Sequence, residues 1–341
     1  WGSVGIIHRF MDIDKQARMM KSLHYQWDRY FTPLSGNDNE EEKTLDKVWD
    51  EWWDSIKHWT HPPEKSDFED LHERLEWRER MLLDDDIWRK RPRCAAIGVT
   101  GDWFERAQEL VKNGCNVLLI DVAHGHHKLV GEAVEKIKKN ISGVEVIAGS
   151  IATRYAAKYL CEKGVDGLRV GVGNGSLCET RIRTGIGIPQ FSALLDICSI
   201  TDDYNVPVIA DGGIRTPGDV AKAIACGADS VMLGSLLAGT KETPGDVTKV
   251  GEWPNERLYK KYRGSASIDS KGDRGESRNI EGNSKIIPYK GKVKRIISDI
   301  RDGISSSCSY VGARNILDFQ SKCEFVQVTQ AGVVEAKPHL L

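Results

Sequence analysis

Residues Gly173-Asn174-Gly175-Ser176-Leu177-Cys178-Glu179-Thr180-Arg181 set a thiol within a glycine-rich turn, directly after the apolar run Leu168-Arg169-Val170-Gly171-Val172. Glycine accepts a positive φ without a Cβ clash, so such a loop lets backbone N–H and C=O groups approach a ligand closely. A cysteine held there is a candidate covalent nucleophile. Free cysteine also serves as a small buried hydrophobe, and on these residues alone the two readings stand level.

Two further stretches change that balance. Asp211-Gly212-Gly213-Ile214 and Leu233-Gly234-Ser235 each follow a short apolar run. Backbone N–H groups of Gly213, Gly234 and Ser235, with the Ser176 hydroxyl, are suited to cradle a phosphate. Asp211 can accept hydrogen bonds from a ribose diol. Each glycine pair also reads as a tight turn, and Asp211 as a helix cap. Their joint occurrence after consecutive apolar runs favours the phosphate reading.

The elements that must position these residues alternate. Apolar runs at Val4–Ile7, Ala95–Val99, Val117–Asp121, Val144–Ala148, Gly167–Val172, Val206–Asp211 and Ser230–Ser235 read as strands. Helical patterns run over Trp103–Asn113, Leu129–Lys139, Arg154–Lys163, Gln190–Ser199 and Pro217–Cys226. Short buried strands alternating with helices predict a parallel α/β sheet. Closed on itself, it is a TIM (β/α)8 barrel, whose active site lies at the carboxyl ends of the strands, with phosphate often held by the last two loops. Seven strands are countable. The reading therefore expects the first strand and its helix to be missing from the sequence, so that Asp211 and Gly234-Ser235 end strands seven and eight. An open doubly wound sheet is the alternative, but no GxGxxG fingerprint with its acidic partner is seen.

Residues 22–93 break the pattern. This stretch is charged and holds seven of the ten tryptophans. Leu45, Val48, Trp49, Trp52, Trp53, Ile56 and Trp59 recur at helical spacing, and Pro62-Pro63 ends that helix. The segment reads as a small helical insertion, its tryptophans more often core or interface than ligand platform. The remainder, 1–21 and 94–341, forms the barrel, with an active-site flap at about 265–287.

With 341 residues, 40% of them hydrophobic, the chain is long enough for one large domain and an insertion. Its net charge of −2 gives no bulk attraction to nucleic acid or anionic membrane. No apolar run approaches the ~20 residues of a membrane helix. None of the eight cysteines forms a CxxC pair, which fits a reduced, cytoplasmic compartment better than a disulfide framework.

Several of these stretches together carry a resemblance. Gly171 to Arg181, Gly185-Ile-Gly-Ile-Pro-Gln190, Ala210 to Arg215 with Pro217-Gly-Asp219, Val231 to Gly239, Tyr262-Arg-Gly264 and Pro288-Tyr-Lys-Gly291 resemble motifs of the IMP dehydrogenase/GMP reductase family, in the same order. The resemblance implies a purine mononucleotide substrate, IMP or GMP, and NAD or NADP as cofactor. It assigns Cys178 to attack at C2 of the purine, Thr180 to assist the water or leaving group, and Ser176, Gly213, Gly234, Ser235 and Tyr262 to the 5′-phosphate. Asp211 takes the ribose, Asp121 and Ser150 face the cofactor, and carbonyls of Gly173, Gly175 and Cys178 match a K+ site. Glu281 contacts the base and does acid–base work, and Arg274 of the flap stands where the dehydrogenases activate water. A homotetramer is implied.

The sequence departs from the resembled motifs at five places. Residues 22–93 stand in place of paired CBS modules, Asn174 replaces a common proline, Ser150 replaces a common asparagine, Ser265-Ala266 replaces the usual Met-Gly next to the base, and Arg274 is followed by Gly275 rather than tyrosine. The extent of the match favours IMP dehydrogenase-like activity. A GMP reductase and a nucleotide-binding homologue that has lost turnover are the alternatives.

Overall fold

Val117-Leu118-Leu119-Ile120 is buried along its whole length. A strand without alternation must be covered on both faces, which is the situation of a parallel sheet layered with helices. A computed structural model describes residues 6–7, 13–17, 19–20, 92–252, 254–272 and 280–337. Strand order in its main sheet follows chain order: β1 (Ile6–Ile7), β2 (Cys94–Ile97), β3 (Val117–Asp121), β4 (Glu145–Ile151), β5 (Gly167–Val170), β6 (Val208–Asp211) and β7 (Ser230–Met232). This is the α/β architecture of the TIM-barrel class, with seven strands among the described residues where the class has eight. The expected helical insertion lies outside the described residues, apart from Pro92 and Arg93.

The chain divides into two compact units. The first takes in Trp1–Gly149 and Glu162–Asp166. There the parallel register runs Ile6↔Cys94, Cys94↔Val117 and Val117↔Glu145. Helix α1 (Trp103–Lys112) buries Ala107 and Leu110, and α2 (Lys128–Asn140) buries Val130, Ala133, Val134 and Ile137. A polar relay crosses this interior. Fully buried Gln16 donates to the Ala96 carbonyl at 2.9 Å and accepts from Arg106 Nη1 at 2.8 Å.

The second unit takes in Ser150–Cys161 and Gly167–Leu341. Here β5 pairs with β6 through Leu168↔Val208, and β6 with β7 through Ile209↔Ser230. The helices are α3 (Arg154–Glu162), α4 (Thr180–Thr184), α5 (Gln190–Thr201) and α6 (Pro217–Ala225). A three-stranded antiparallel sheet, β8 (Thr248–Val250), β9 (Arg257–Arg263) and β10 (Ser284–Pro288), follows, with the short helix α7 (Ile268–Gly272) before β10. Helix α8 (Val293–Tyr310) brings Ile300 into a cluster with Val220, Ile224 and Phe319 of α9 (Ile316–Lys322), and α10 (Gln330–Glu335) ends the described chain. No helix among the described residues is long and apolar enough to cross a membrane.

Strand ends differ from the sequence expectation for backbone reasons. β5 stops at Val170 because Gly171 takes φ +147°. β6 begins only at Val208, after Pro207, which has no N–H to give a ladder. Nothing in the sequence announces the antiparallel sheet, because Arg-Leu-Tyr-Lys-Lys-Tyr-Arg in β9 carries too few apolar residues to show a period.

Helix α6 starts on a capping box. The Thr216 hydroxyl accepts from Asp219 N–H at 3.2 Å, and the Asp219 carboxylate accepts from Thr216 N–H at 3.1 Å and Arg215 N–H at 3.0 Å. Partial burial disfavours the charged carboxylate, but the hydrogen bonds from Arg215 and Thr216 outweigh it and hold the group below its ordinary pKa. Thr216→Ala is expected to cost about 1 kcal/mol in urea unfolding. Asp219→Asn is expected to destabilise at neutral pH. A depressed folded pKa means stability present above the unfolded value of about 3.9 and lost as pH falls through the folded one, so the gap between Asp219→Asn and the parent should close on acidification below about pH 4.

Candidate active site

The carboxyl ends of β5 and β6 meet where no side chain fits. A Cβ on Gly171 would overlap the Asp211 carbonyl oxygen, and one on Gly212 would come within 3.0 Å of the Asn174 backbone. Only glycine at 171 and 212, both at positive φ, lets the cysteine loop lie against the Asp211 turn.

Arg181 holds that loop closed. Its guanidinium Nη2 donates to the Asn174 side chain, to the Ile188 carbonyl and, at 3.5 Å, to the Val172 carbonyl. Its stem fills the space left by the missing side chains of Gly173 and Gly187. The Asn174 amide in turn donates to Gln190 Oε1, and Gln190 Nε2 donates to the Val170 carbonyl at 2.7 Å. Entry and exit of the cysteine loop are thereby tied to the strand from which it leaves.

Between these ties Cys178 caps a tight turn, its N–H donating to the Gly175 carbonyl at 3.0 Å. A distant segment then pairs with the loop. Glu179 N–H donates to the Glu281 carbonyl at 2.7 Å, Asn283 N–H donates to the Leu177 carbonyl at 3.0 Å, and Cys178 and Gly282 form an antiparallel bridge. Asn283 Nδ2 also donates to Glu179 Oε1 at 2.5 Å. This pairing sets three side chains in line. The Cys178 thiol lies 3.1 Å from Thr180 Oγ1, and that hydroxyl donates to Glu281 Oε2 at 2.7 Å. A proton leaving the sulfur, or a water at the same place, has a hydroxyl and a carboxylate to pass to.

The expected phosphate residues are only partly gathered. Ser176 Oγ and Tyr262 OH lie 3.4 Å apart, and Tyr262 OH sits 3.4 Å from where a Gly234 side chain would begin, with Ser235 next along the chain. Gly213 sits against the Gln190 side chain. Asp211 is half-buried beside the buried Arg169, with Nη1 at 3.5 Å from Oδ2. Asp121 closes β3 in the first unit and is half-buried, whereas Ser150 is buried within β4. Of the expected K+ carbonyls, Gly175's already accepts from Cys178 N–H, leaving one lone pair for a cation. Arg274 lies outside the described residues. Within the expected flap, the described residues form α7 and most of β10.

The IMP dehydrogenase/GMP reductase domain family matches residues 1–339. The chain belongs to that family. It is 44% identical over 255 residues to inosine-5′-monophosphate dehydrogenase of Aquifex aeolicus, a match covering 72% of this chain and 51% of that protein. It is 35% identical to the Borreliella burgdorferi protein of the same name, over 99% of this chain and 82% of the other. Among solved structures it resembles a cysteine-to-alanine variant of GMP reductase from Trypanosoma brucei in complex with guanosine 5′-monophosphate, at 38% identity and TM-score 0.68, covering 76% of this chain and 56% of that one. The chain spans about half the length of the first of these relatives.

For this member of the family, the features that sequence reading did not single out are Arg169, the Arg181–Asn174–Gln190 tie and Asn283. Arg169 did carry a signal, since a charged residue inside an otherwise apolar strand needs a partner.

Cys178 is exposed, whereas the other seven cysteines are buried or half-buried. Burial pushes the thiols of Cys94 and Cys198 up to about 12, and those of Cys115 and Cys226 up to about 11. The thiolate is the reactive form, so limiting iodoacetamide at neutral pH should label the Cys178 peptide first, as read by mass spectrometry. Earlier labelling of Cys94, Cys115, Cys198 or Cys226 would contradict this burial order.

Proposed function

We propose that this protein is a purine-nucleotide oxidoreductase that works at C2 of the base through a covalent adduct on Cys178, with IMP as substrate, NAD as hydride acceptor and XMP as product. The Cys178–Thr180–Glu281 line carries the reading. A sulfur nucleophile with a hydroxyl–carboxylate pair beside it suits a reaction that first forms and then breaks a C–S bond.

In this reading the Ser176 and Tyr262 hydroxyls and the backbone N–H groups of Gly213, Gly234 and Ser235 hold the 5′-phosphate. Asp211 accepts from the ribose hydroxyls, and Arg169 at 3.5 Å keeps the carboxylate oriented. The Cys178 thiolate adds to C2, and the hydrogen on C2 departs with its electron pair. A bound nicotinamide ring supplies the place for that hydride. Water then adds at C2, its proton passes through Thr180 to Glu281, and the C–S bond breaks to return the thiolate. Arg274 is proposed as a second base for the water. Asp121 and Ser150 are proposed cofactor contacts, and K+ is proposed to sit on the carbonyls of Gly173, Gly175 and Cys178. A cytoplasmic homotetramer completes the reading.

The reverse sense, GMP reductase, is the second reading, and the likeness to the Trypanosoma brucei GMP reductase favours it. The same line would then deliver a proton from Glu281 through Thr180 to the ammonia that addition of the Cys178 thiolate expels from C2, and a bound NADPH would supply the hydride whose arrival at C2 breaks the C–S bond and returns the thiolate.

Incubation with IMP and NAD, and separately with GMP and NADPH, followed at the absorbance of the reduced cofactor, separates the two. NADH formation from IMP is expected. Nucleotide binding without turnover in either direction would leave the protein a non-catalytic homologue. Cys178→Ser should abolish hydride transfer while nucleotide binding persists, because an alkoxide forms far less readily than a thiolate. Asp211→Ala should weaken nucleotide binding by about 1.5–3 kcal/mol. Near-normal turnover in Cys178→Ser would remove the covalent mechanism.

A further inference from the structure

The motif Pro288-Tyr289-Lys290-Gly291 has no part in the chemistry above. The structure places it against the turn that holds Gly234 and Ser235. That turn is closed by Leu237 N–H and Ala238 N–H donating to the Gly234 carbonyl at 3.1 and 2.9 Å. Lys290 Nζ donates to the carbonyls of the next two residues of that turn, Ser235 and Leu236, at 2.7 and 3.0 Å.

Backbone bonds fix the lysine there. Lys290 N–H donates to the Gly239 carbonyl at 2.9 Å, and Lys241 N–H donates to the Gly291 carbonyl at 2.7 Å. A side chain on Gly239 would come within 2.7 Å of the Pro288 carbonyl, so the strap lies flat on the turn. A second lysine, the buried Lys260, donates to the carbonyls of Thr240 and Thr243 at 3.1 and 2.5 Å and anchors the far end of the same loop. The two lysines are not equivalent. Lys260 grips residues beyond the turn, whereas Lys290 grips the carbonyl of Ser235 itself, whose N–H belongs to the proposed phosphate cradle.

We propose that Lys290 is a positioning residue for the 5′-phosphate: by binding the Ser235 and Leu236 carbonyls it fixes the peptide planes of the phosphate turn and sets a positive charge behind them. Two physical effects act together. A turn held by a charged group loses less conformational freedom when the ligand arrives. A cation near a dianionic phosphate attracts it even without contact. Partial desolvation lowers the lysine's pKa below its ordinary 10.5, in keeping with an ammonium that has exchanged water for two carbonyls. The inference rests on the purine-nucleotide reading of the site.

Its test compares a ligand with the phosphate and one without. Binding of IMP and of inosine is measured by calorimetry, inosine by displacement where its heat is small, on the full chain and on Lys290→Met, Lys290→Gln and Lys290→Arg, with circular dichroism melts to check folding. Lys290→Met and Lys290→Gln should weaken IMP about tenfold and change inosine less than about twofold, and Lys290→Arg should recover most of the loss. Equal weakening of IMP and inosine, or undiminished IMP binding by folded Lys290→Met or Lys290→Gln, would overturn the role of Lys290 and leave the proposed function standing. Absence of IMP binding by the parent chain would overturn the function and this inference with it.

Discussion

Everything at the site depends on two backbones approaching closer than any side chain allows. Gly171 presses against the Asp211 carbonyl and Gly212 against Asn174. With a methyl at either position, the loop carrying Cys178 and the turn carrying Asp211 could not share one surface. The glycines supply the room but no cohesion, and Arg181 supplies what they lack. Its guanidinium ties Val172, Asn174 and Ile188, so a loop rich in glycine is held by one planar, multidentate donor.

In the sequence reading Asn174 stands in place of a proline. A proline at this position would stiffen the loop through its own ring. Asparagine stiffens it from outside, accepting from Arg181 and donating to Gln190. The loop's rigidity thus moves from a local covalent constraint to a network shared with β5 and α5, and Asn174 becomes sensitive to neighbours that a proline would ignore.

The parallel strands were legible because burial on both faces writes itself as unbroken apolar runs, as in Val117-Leu118-Leu119-Ile120. Their ends were less so, since Gly171 and Pro207 cut β5 and β6 short for reasons of φ and of a missing donor. The small sheet was invisible, because β9 is largely lysine, arginine and tyrosine and derives its strand form from its partners β8 and β10. At the site, Cys178, Ser176 and Asp211 could be singled out from glycine spacing and strand ends. Thr180 and Glu281 were reached only through likeness to a family, and their pairing is a tertiary fact that no spacing encodes. Arg181 was visible merely as the last residue of the cysteine motif, and its work as a tie needs the bend that brings Ile188 back to Asn174.

The bond from Thr180 to Glu281 spans 101 residues of chain. Contacts of such sequence separation close large loops, and their entropic cost must be met before any reward arrives, so they belong to the later stages of folding. The thiol and its hydroxyl neighbour are two residues apart and travel together from the start. The carboxylate joins them only when residues 281–283 have docked by their backbone onto Leu177 and Glu179. A nascent or half-unfolded chain therefore carries Cys178 and Thr180 without the carboxylate that stands beside them in the finished fold.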